Sequence, residues 1–313
     1  MKLSKPLFFS VIFLLTIGNP AGVHASDAGY NDRKKNGING FRPTKLFVFG
    51  DSYSDTGNYR KLESFSWKQP YGITLPGKPF GRFSDGRVIT DYIAEFLGVK
   101  SPTPFRWMNH AQHRLQYGMN FAFGGTGVFD TFIPGLNMTT QIEYLQKLID
   151  DSVYTNTDLQ SSMAFLTVCG NDYMAYLSLG GTKEGLPAYT RKVINQVAED
   201  MKHLHNMGVK KVSVSSMQPL GCLPRATVHS SHRQCNESLN AEGSRRFETP
   251  LKPCCVGVSK EYDCSSVDKK GVKMYTMCSD PNAAFFWDSA HPTQAGWSAV
   301  YDALKATLHE HLF

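Results

Sequence analysis

Four short apolar runs limit most strongly how this chain can fold. "KLFVFG" (45–50), "MNFAFGG" (119–125), "MAFLTVCG" (163–170) and "KKVSVSS" (210–216) read as strands buried on both faces. Strands covered on both sides belong to parallel sheets, whose crossover helices pack above and below them. Helical patterns lie between and after these runs. "TTQIEYLQKLIDD" sets Ile142, Leu145, Leu148 and Ile149 on one face. "YTRKVINQVAEDMKHLHNMG" does the same with Val193, Val197, Met201 and Leu204, and stops at Gly208. A last helix is expected to start near Pro292, with Trp297, Tyr301, Leu304 and Leu308 as its apolar stripe. Strand and helix in alternation predict a three-layer α/β fold around a parallel sheet. One domain is expected over 43–313, behind a polar, flexible lead-in at 26–42.

The same strands end on small polar residues. The first ends on Gly50-Asp51-Ser52, the second on "NFAFGG" (120–125), and the third on Gly170-Asn171-Asp172. In an open parallel sheet these C-terminal ends share one edge, where ligands bind. A turn alone would also explain any one of these clusters. Three converging ends point instead to a site. Near the C-terminus, "FFWDSAHPTQAGW" places Asp288 three residues before His291. One turn at that spacing can bring a carboxylate oxygen to the imidazole Nδ1, leaving Nε2 to face Ser52. Such a base takes the proton of an otherwise poor serine nucleophile. Read singly, Asp288 would be a helix cap and His291 a surface histidine.

The N-terminus and the cysteines speak to compartment. Lys2 and Lys5 precede an apolar run from Leu7 to Gly18 and the small-residue end Val23-His24-Ala25, the pattern of a secretory signal peptide over 1–25. A membrane anchor is the rival reading, but the run falls short of the ~20 residues a spanning helix needs. Six of the seven cysteines (Cys222, Cys235, Cys254, Cys255, Cys264 and Cys278) crowd together, which in an oxidising compartment reads as up to three disulfides with the pairing open. No C-x-x-C or spaced histidine pair supports zinc. Cys169 reads as a buried free thiol. Sequons at Asn137 and Asn236 are glycosylation candidates. The net charge of +6 is spread thinly, and the densest basic run, "DRKK" at 32–35, does not suggest nucleic acid.

"FGDSYSDTGN", "NFAFGGTG", "CGNDY" and "FWDSAHPT" resemble, in order, the four signature blocks of the GDSL (SGNH) esterases and lipases. "GRFSDGRVITDYIAEFLG", "QPLGCLP" and "CC" resemble the secreted plant branch. The resemblance spans about residues 43–308 and implies an SGNH-hydrolase (flavodoxin-like) α/β/α fold. It implies Ser52 as nucleophile, with Asp288 and His291 completing a triad. The oxyanion donors would be the Ser52 N–H, a glycine N–H (Gly125 rather than Gly124) and the Asn171 amide. Asp51, Asp55, Asn58 and Asp172 would shape loops. The G-x-S-x-G elbow of α/β-hydrolases is absent.

In the plant branch a helix, a strand and more helix separate the "CNESLN" and "CC" segments, whereas 13 residues lie between Asn240 and Cys254 here. A sheet lacking its fifth strand follows, with 210–216 at the edge. The expected protein is an extracellular, monomeric serine esterase or lipase that needs no cofactor or metal and acts on a small-molecule or lipid ester. Its rivals are a catalytically impaired secreted binding protein on the same fold and an acyltransferase.

Overall fold

The computed structural model describes residues 41–215, 220–235, 247 and 250–312. The leader at 1–25, most of the lead-in, Asn236 and most of the shortened junction lie outside the described residues. The central sheet is built from β1 (Lys45–Phe49), β2 (Thr103–Pro104), β3 (Gly118–Asn120), β4 (Ser162–Thr167) and β5 (Lys211–Ser215). Its order is β2-β3-β1-β4-β5, and every pairing is parallel. The expected four-stranded remnant is thereby corrected to five strands. The fifth is β2 on the far edge, a two-residue strand too short to carry any periodicity. On the other side β5 is the edge among the described residues, as the shortened junction implies.

The helices are α1 (Ile89–Phe96), α2 (Met138–Asp150), α3 (Asn156–Gln160), α4 (Asn171–Ser178), α5 (Leu186–Asn206), α6 (Pro224–Thr227) and α7 (Gln294–Leu312). They cover the sheet in two layers. Strand β1 shows why, since consecutive side chains point to opposite faces. Leu46 and Val48 pack with Ile89, Ile93, Trp297, Leu304 and Leu308 of α1 and α7. Phe47 and Phe49 pack with Ile142, Leu145, Val193, Met201 and Leu204 of α2 and α5. The four apolar β1 side chains, Leu46 to Phe49, are fully buried, which fits the continuous apolar run.

The helix starts follow local chemistry. Asn137 caps α2, its Oδ1 accepting from the Thr140 N–H. The last helix is capped by Thr293, whose Oγ1 accepts from the Gly296 N–H at 2.9 Å, just after the expected Pro292.

The six clustered cysteines form Cys222–Cys235, Cys254–Cys278 and Cys255–Cys264, while Cys169 is free and buried. Two of these bridges hold a small antiparallel pair, β6 (Cys255–Gly257) and β7 (Tyr275–Met277). The Cys254 and Cys255 N–H groups donate to the carbonyls of Phe286 (2.9 Å) and Trp287 (2.7 Å). The segment after the shortened junction is thus pinned to the two residues that precede Asp288.

Candidate active site

Ser52 owes its position to a cramped turn at the end of β1. Gly50 has φ +128°, and a Cβ there would stand 2.3 Å from Thr167 Oγ1, so only glycine fits. The buried amide of Gln141 grips the Gly50 peptide from both sides. The Gly50 N–H donates to Oε1 (2.7 Å), and Nε2 donates to the Gly50 carbonyl (2.9 Å). The Asp51 carboxylate then accepts from the N–H groups of Tyr53 (3.0 Å) and Cys169 (2.8 Å), tying this turn to the end of β4.

The structure brings Ser52, His291 and Asp288 into one hydrogen-bonded series. Ser52 Oγ lies 2.8 Å from His291 Nε2, and His291 Nδ1 lies 2.9 and 2.8 Å from the two Asp288 oxygens. The Asp288 carboxylate also accepts from the Ala290 and His291 N–H groups, both at 2.8 Å. Burial acts to raise its pKa. The His291 ring, the Tyr71 hydroxyl and the Ala290 N–H outweigh that and hold the carboxyl at about 2. All three side chains are buried but not sealed, each 6–8% exposed.

The loop-forming acids hold the surrounding backbone. Asp55 accepts from four N–H groups, those of Gly57, Asn58, Tyr59 and Gly124. Burial pushes its carboxyl up to about 6, against the downward pull of those four donors. Asp172 accepts from the N–H groups of Val128 and Phe129, each at 2.9 Å. These bonds separate the two glycines. The Gly124 N–H is committed to Asp55, whereas the Gly125 N–H, at φ +83°, donates to no side chain or carbonyl among the described residues. The Ser52 N–H is likewise uncommitted among the described residues. Asn171 Nδ2 donates to the Thr126 carbonyl at 2.8 Å, which places the amide beside Gly125 and leaves its second hydrogen.

Sequence reasoning missed the groups that hold the histidine and its acid. The Tyr71 hydroxyl donates to Asp288 Oδ2 at 2.6 Å, and Tyr71 is 1% exposed. Burial first, then the Asp288 charge, pushes its pKa well above the ordinary phenol value, so it remains a donor. The Tyr53 hydroxyl donates to the Ala290 carbonyl at 2.7 Å. Phe83, Tyr53 and Phe65 surround the imidazole, with ring centroids 5.1, 5.8 and 6.3 Å away. Phe83 was within reach, since it lies in the "GRFSDGRV" block; Tyr71 sits among turn residues in "KQPYGITLP" and carried no signal.

Tyr71→Phe tests this arrangement, with an expected loss of about tenfold in kcat and little change in KM, the scale of one hydrogen bond to a charged group. It also has a pH signature. The folded Asp288 pKa is depressed, so its contribution to stability is present above the unfolded value of about 3.9 and is lost as pH falls through about 2. Removing a donor that lowers this pKa narrows that window. The acid-unfolding midpoint by circular dichroism should therefore move to higher pH, and an unmoved midpoint with unchanged kcat would show that the hydroxyl is idle.

A parallel α/β/α sheet with serine, histidine and aspartate bonded in series at its C-terminal edge, and without the G-x-S-x-G elbow, defines an SGNH-type hydrolase fold. The family model described as GDSL-like Lipase/Acylhydrolase matches residues 46–304, and the chain belongs to that family. Among its relatives in Arabidopsis thaliana, GDSL esterase/lipase At5g03610 is 46% identical and the alignment covers 98% of each chain. GDSL esterase/lipase At3g09930 is 47% identical over 87% of this chain and 89% of its own. The first alignment runs over 356 positions against a chain of 313 residues, so that relative carries dozens of residues with no counterpart here. The family places this chain among hydrolases of the esterase/lipase class.

Proposed function

We propose that the protein is an extracellular serine esterase or lipase that cleaves carboxylic esters through an acyl-enzyme. The observation that carries this reading is the unbroken Ser52–His291–Asp288 series of hydrogen bonds. Ser52 Oγ attacks the ester carbonyl while His291 Nε2 takes its proton. Asp288 keeps the Nδ1 hydrogen in place and balances the charge of the imidazolium. The developing oxyanion is met by the N–H groups of Ser52 and Gly125 and by the second Asn171 amide hydrogen. His291 then returns the proton to the departing alcohol, which breaks the C–O bond and leaves the acyl group on Ser52. Water repeats the sequence and releases the carboxylic acid.

Three disulfides and the leader pattern at 1–25 support passage through an oxidising secretory route. Asn137 suits a glycan on that route, because its Nδ2 uses one hydrogen on Asp130 (2.9 Å) and keeps another. Among the described residues, no helix is long and apolar enough to cross a membrane.

The direct test is labelling by a fluorophosphonate, which needs both the nucleophile and its base. Intact protein should be labelled at Ser52 and should hydrolyse p-nitrophenyl esters; a folded protein that does neither would be a binding protein instead. Asn171→Ala should lower kcat by roughly 10²–10³, the usual loss for one oxyanion donor. An equal fall in labelling rate, with the melting temperature kept, would tie that loss to the transition state.

A further inference from the structure

Beside the nucleophile turn lies a cavity of about 310 Å³ that none of Ser52, Gly125, Asn171, Asp288 or His291 lines. Its wall is formed by Phe105, Phe121, Phe123, Leu136 and Tyr144. The rings brace one another: Phe105 stacks on Tyr144 at 4.9 Å and leans on Phe121 at 5.4 Å. At roughly twice the ~150 Å³ of an apolar cavity that admits benzene, this space suits a hydrocarbon chain. The two exposed members of its lining are arginines, Arg60 and Arg106. Arg60 shares its charge with Glu63 at 3.2 Å. The Arg106 guanidinium donates to the neutral Tyr59 carbonyl (3.3 Å) and lies over the Trp107 ring, with no carboxylate on it among the described residues.

We propose that this cavity is a second binding site, for an anionic amphiphile of the long-chain carboxylate class. Its tail lies against Phe105, Phe121 and Leu136, and its head meets Arg106 at the mouth. An apolar wall alone would take any hydrocarbon. The uncompensated guanidinium selects the anion, because a carboxylate accepts its N–H groups in a fork. The site is distinct from the Ser52 cleft. Phe123 forms part of its wall and stacks on Tyr59 (4.8 Å), which meets Phe83, which in turn meets His291. This series of ring contacts runs from the cavity wall to the imidazole. The two sites are also linked because Gln141 both lines the cavity and clamps Gly50, and Phe123 directly precedes the Gly124-Gly125 pair.

Isothermal titration of the full-length protein tests this, with decanoate below its micellar concentration, decanol and acetate as probes. Decanoate should bind at one site, decanol should bind about three- to fivefold more weakly for want of the charge contact, and acetate should not bind. Arg106→Glu should remove that preference for decanoate and leave decanol unchanged. Leu136→Trp, which fills the cavity, should abolish binding of both. Tyr144→Ala, which enlarges it, should shift the preference toward dodecanoate, and a melting curve for each variant confirms folding. Protein labelled at Ser52 by fluorophosphonate should bind decanoate as before. Equal binding of decanol and decanoate, undiminished binding in Leu136→Trp, or loss of binding on labelling Ser52 would each overturn the assignment, the last by placing the carboxylate in the catalytic cleft. Apart from the arm with labelled protein, the titrations need no working nucleophile, so they stand or fall separately from the esterase reading.

Discussion

Ser52→Ala is expected to lower ester hydrolysis by on the order of 10⁶ in kcat and to eliminate fluorophosphonate labelling. The oxyanion donors and substrate contacts remain in the variant, so a residual rate on the order of 10³–10⁴ over water should persist. The fold should hardly notice. Ser52 Oγ contributes one hydrogen bond, to His291 Nε2, and that nitrogen can turn to water in the open cleft. The backbone turn rests on Gly50, Asp51, Gln141 and Thr167, none of which the substitution touches. A melting temperature within a few degrees of the parent together with lost activity is the expected pair of results. Full activity would exclude Ser52 as nucleophile.

Much of this arrangement was legible because it is local. The β1 run is buried on both faces, and its alternating side chains reach both helical layers, as a parallel sheet demands. Asp288 and His291 are three residues apart, so a single turn suffices to join them. What the sequence hid depends on distant partners. Strand β2 is two residues long and includes a proline, which edge positions tolerate and periodicity cannot register. Tyr71 and Asp288 are 217 positions apart, and nothing near Tyr71 announces a buried acceptor. The disulfides follow the same rule: six cysteines allow 15 pairings, and only the fold selects one.

The shortened junction has a visible consequence and a visible compensation. With β5 at the edge among the described residues, Ser213 Oγ is buried with no hydrogen-bond partner among them, and Ile194 of α5 is 58% exposed. An apolar side chain left uncovered is where a missing layer would be felt. The site stands away from that edge, because Ser52 and Gly125 follow β1 and β3, and Asn171 follows the inner strand β4. On the C-terminal side, the Cys254–Cys278 and Cys255–Cys264 bridges replace length with covalent constraint. Their segment donates directly to the carbonyls of Phe286 and Trp287, so Asp288 is approached from a fixed platform.

Asp288→Asn should reduce kcat by about 10⁴, far more than the loss of one charge at a solvated surface would. The reason is the tautomer. In the parent, both Asp288 oxygens accept, so Nδ1 must carry its hydrogen and Nε2 presents a lone pair to the Ser52 hydroxyl. In the variant, one oxygen becomes an NH₂ group. The remaining oxygen is held by the Ala290 and His291 N–H groups, which already converge on Oδ1. The NH₂ therefore takes the Oδ2 position, facing His291 Nδ1 and the Tyr71 hydroxyl. Nδ1 is then drawn into accepting, its hydrogen moves to Nε2, and Nε2 donates to Ser52 instead of taking its proton. Tyr71 can rotate its hydrogen away and accept, so the fold survives while the base is lost. The measurement is kcat on a p-nitrophenyl ester across pH. Part of the rate should return at alkaline pH, where hydroxide can deprotonate the serine without the histidine. A variant that keeps the parent's rate at neutral pH would show that the histidine does not depend on Asp288 for its tautomer.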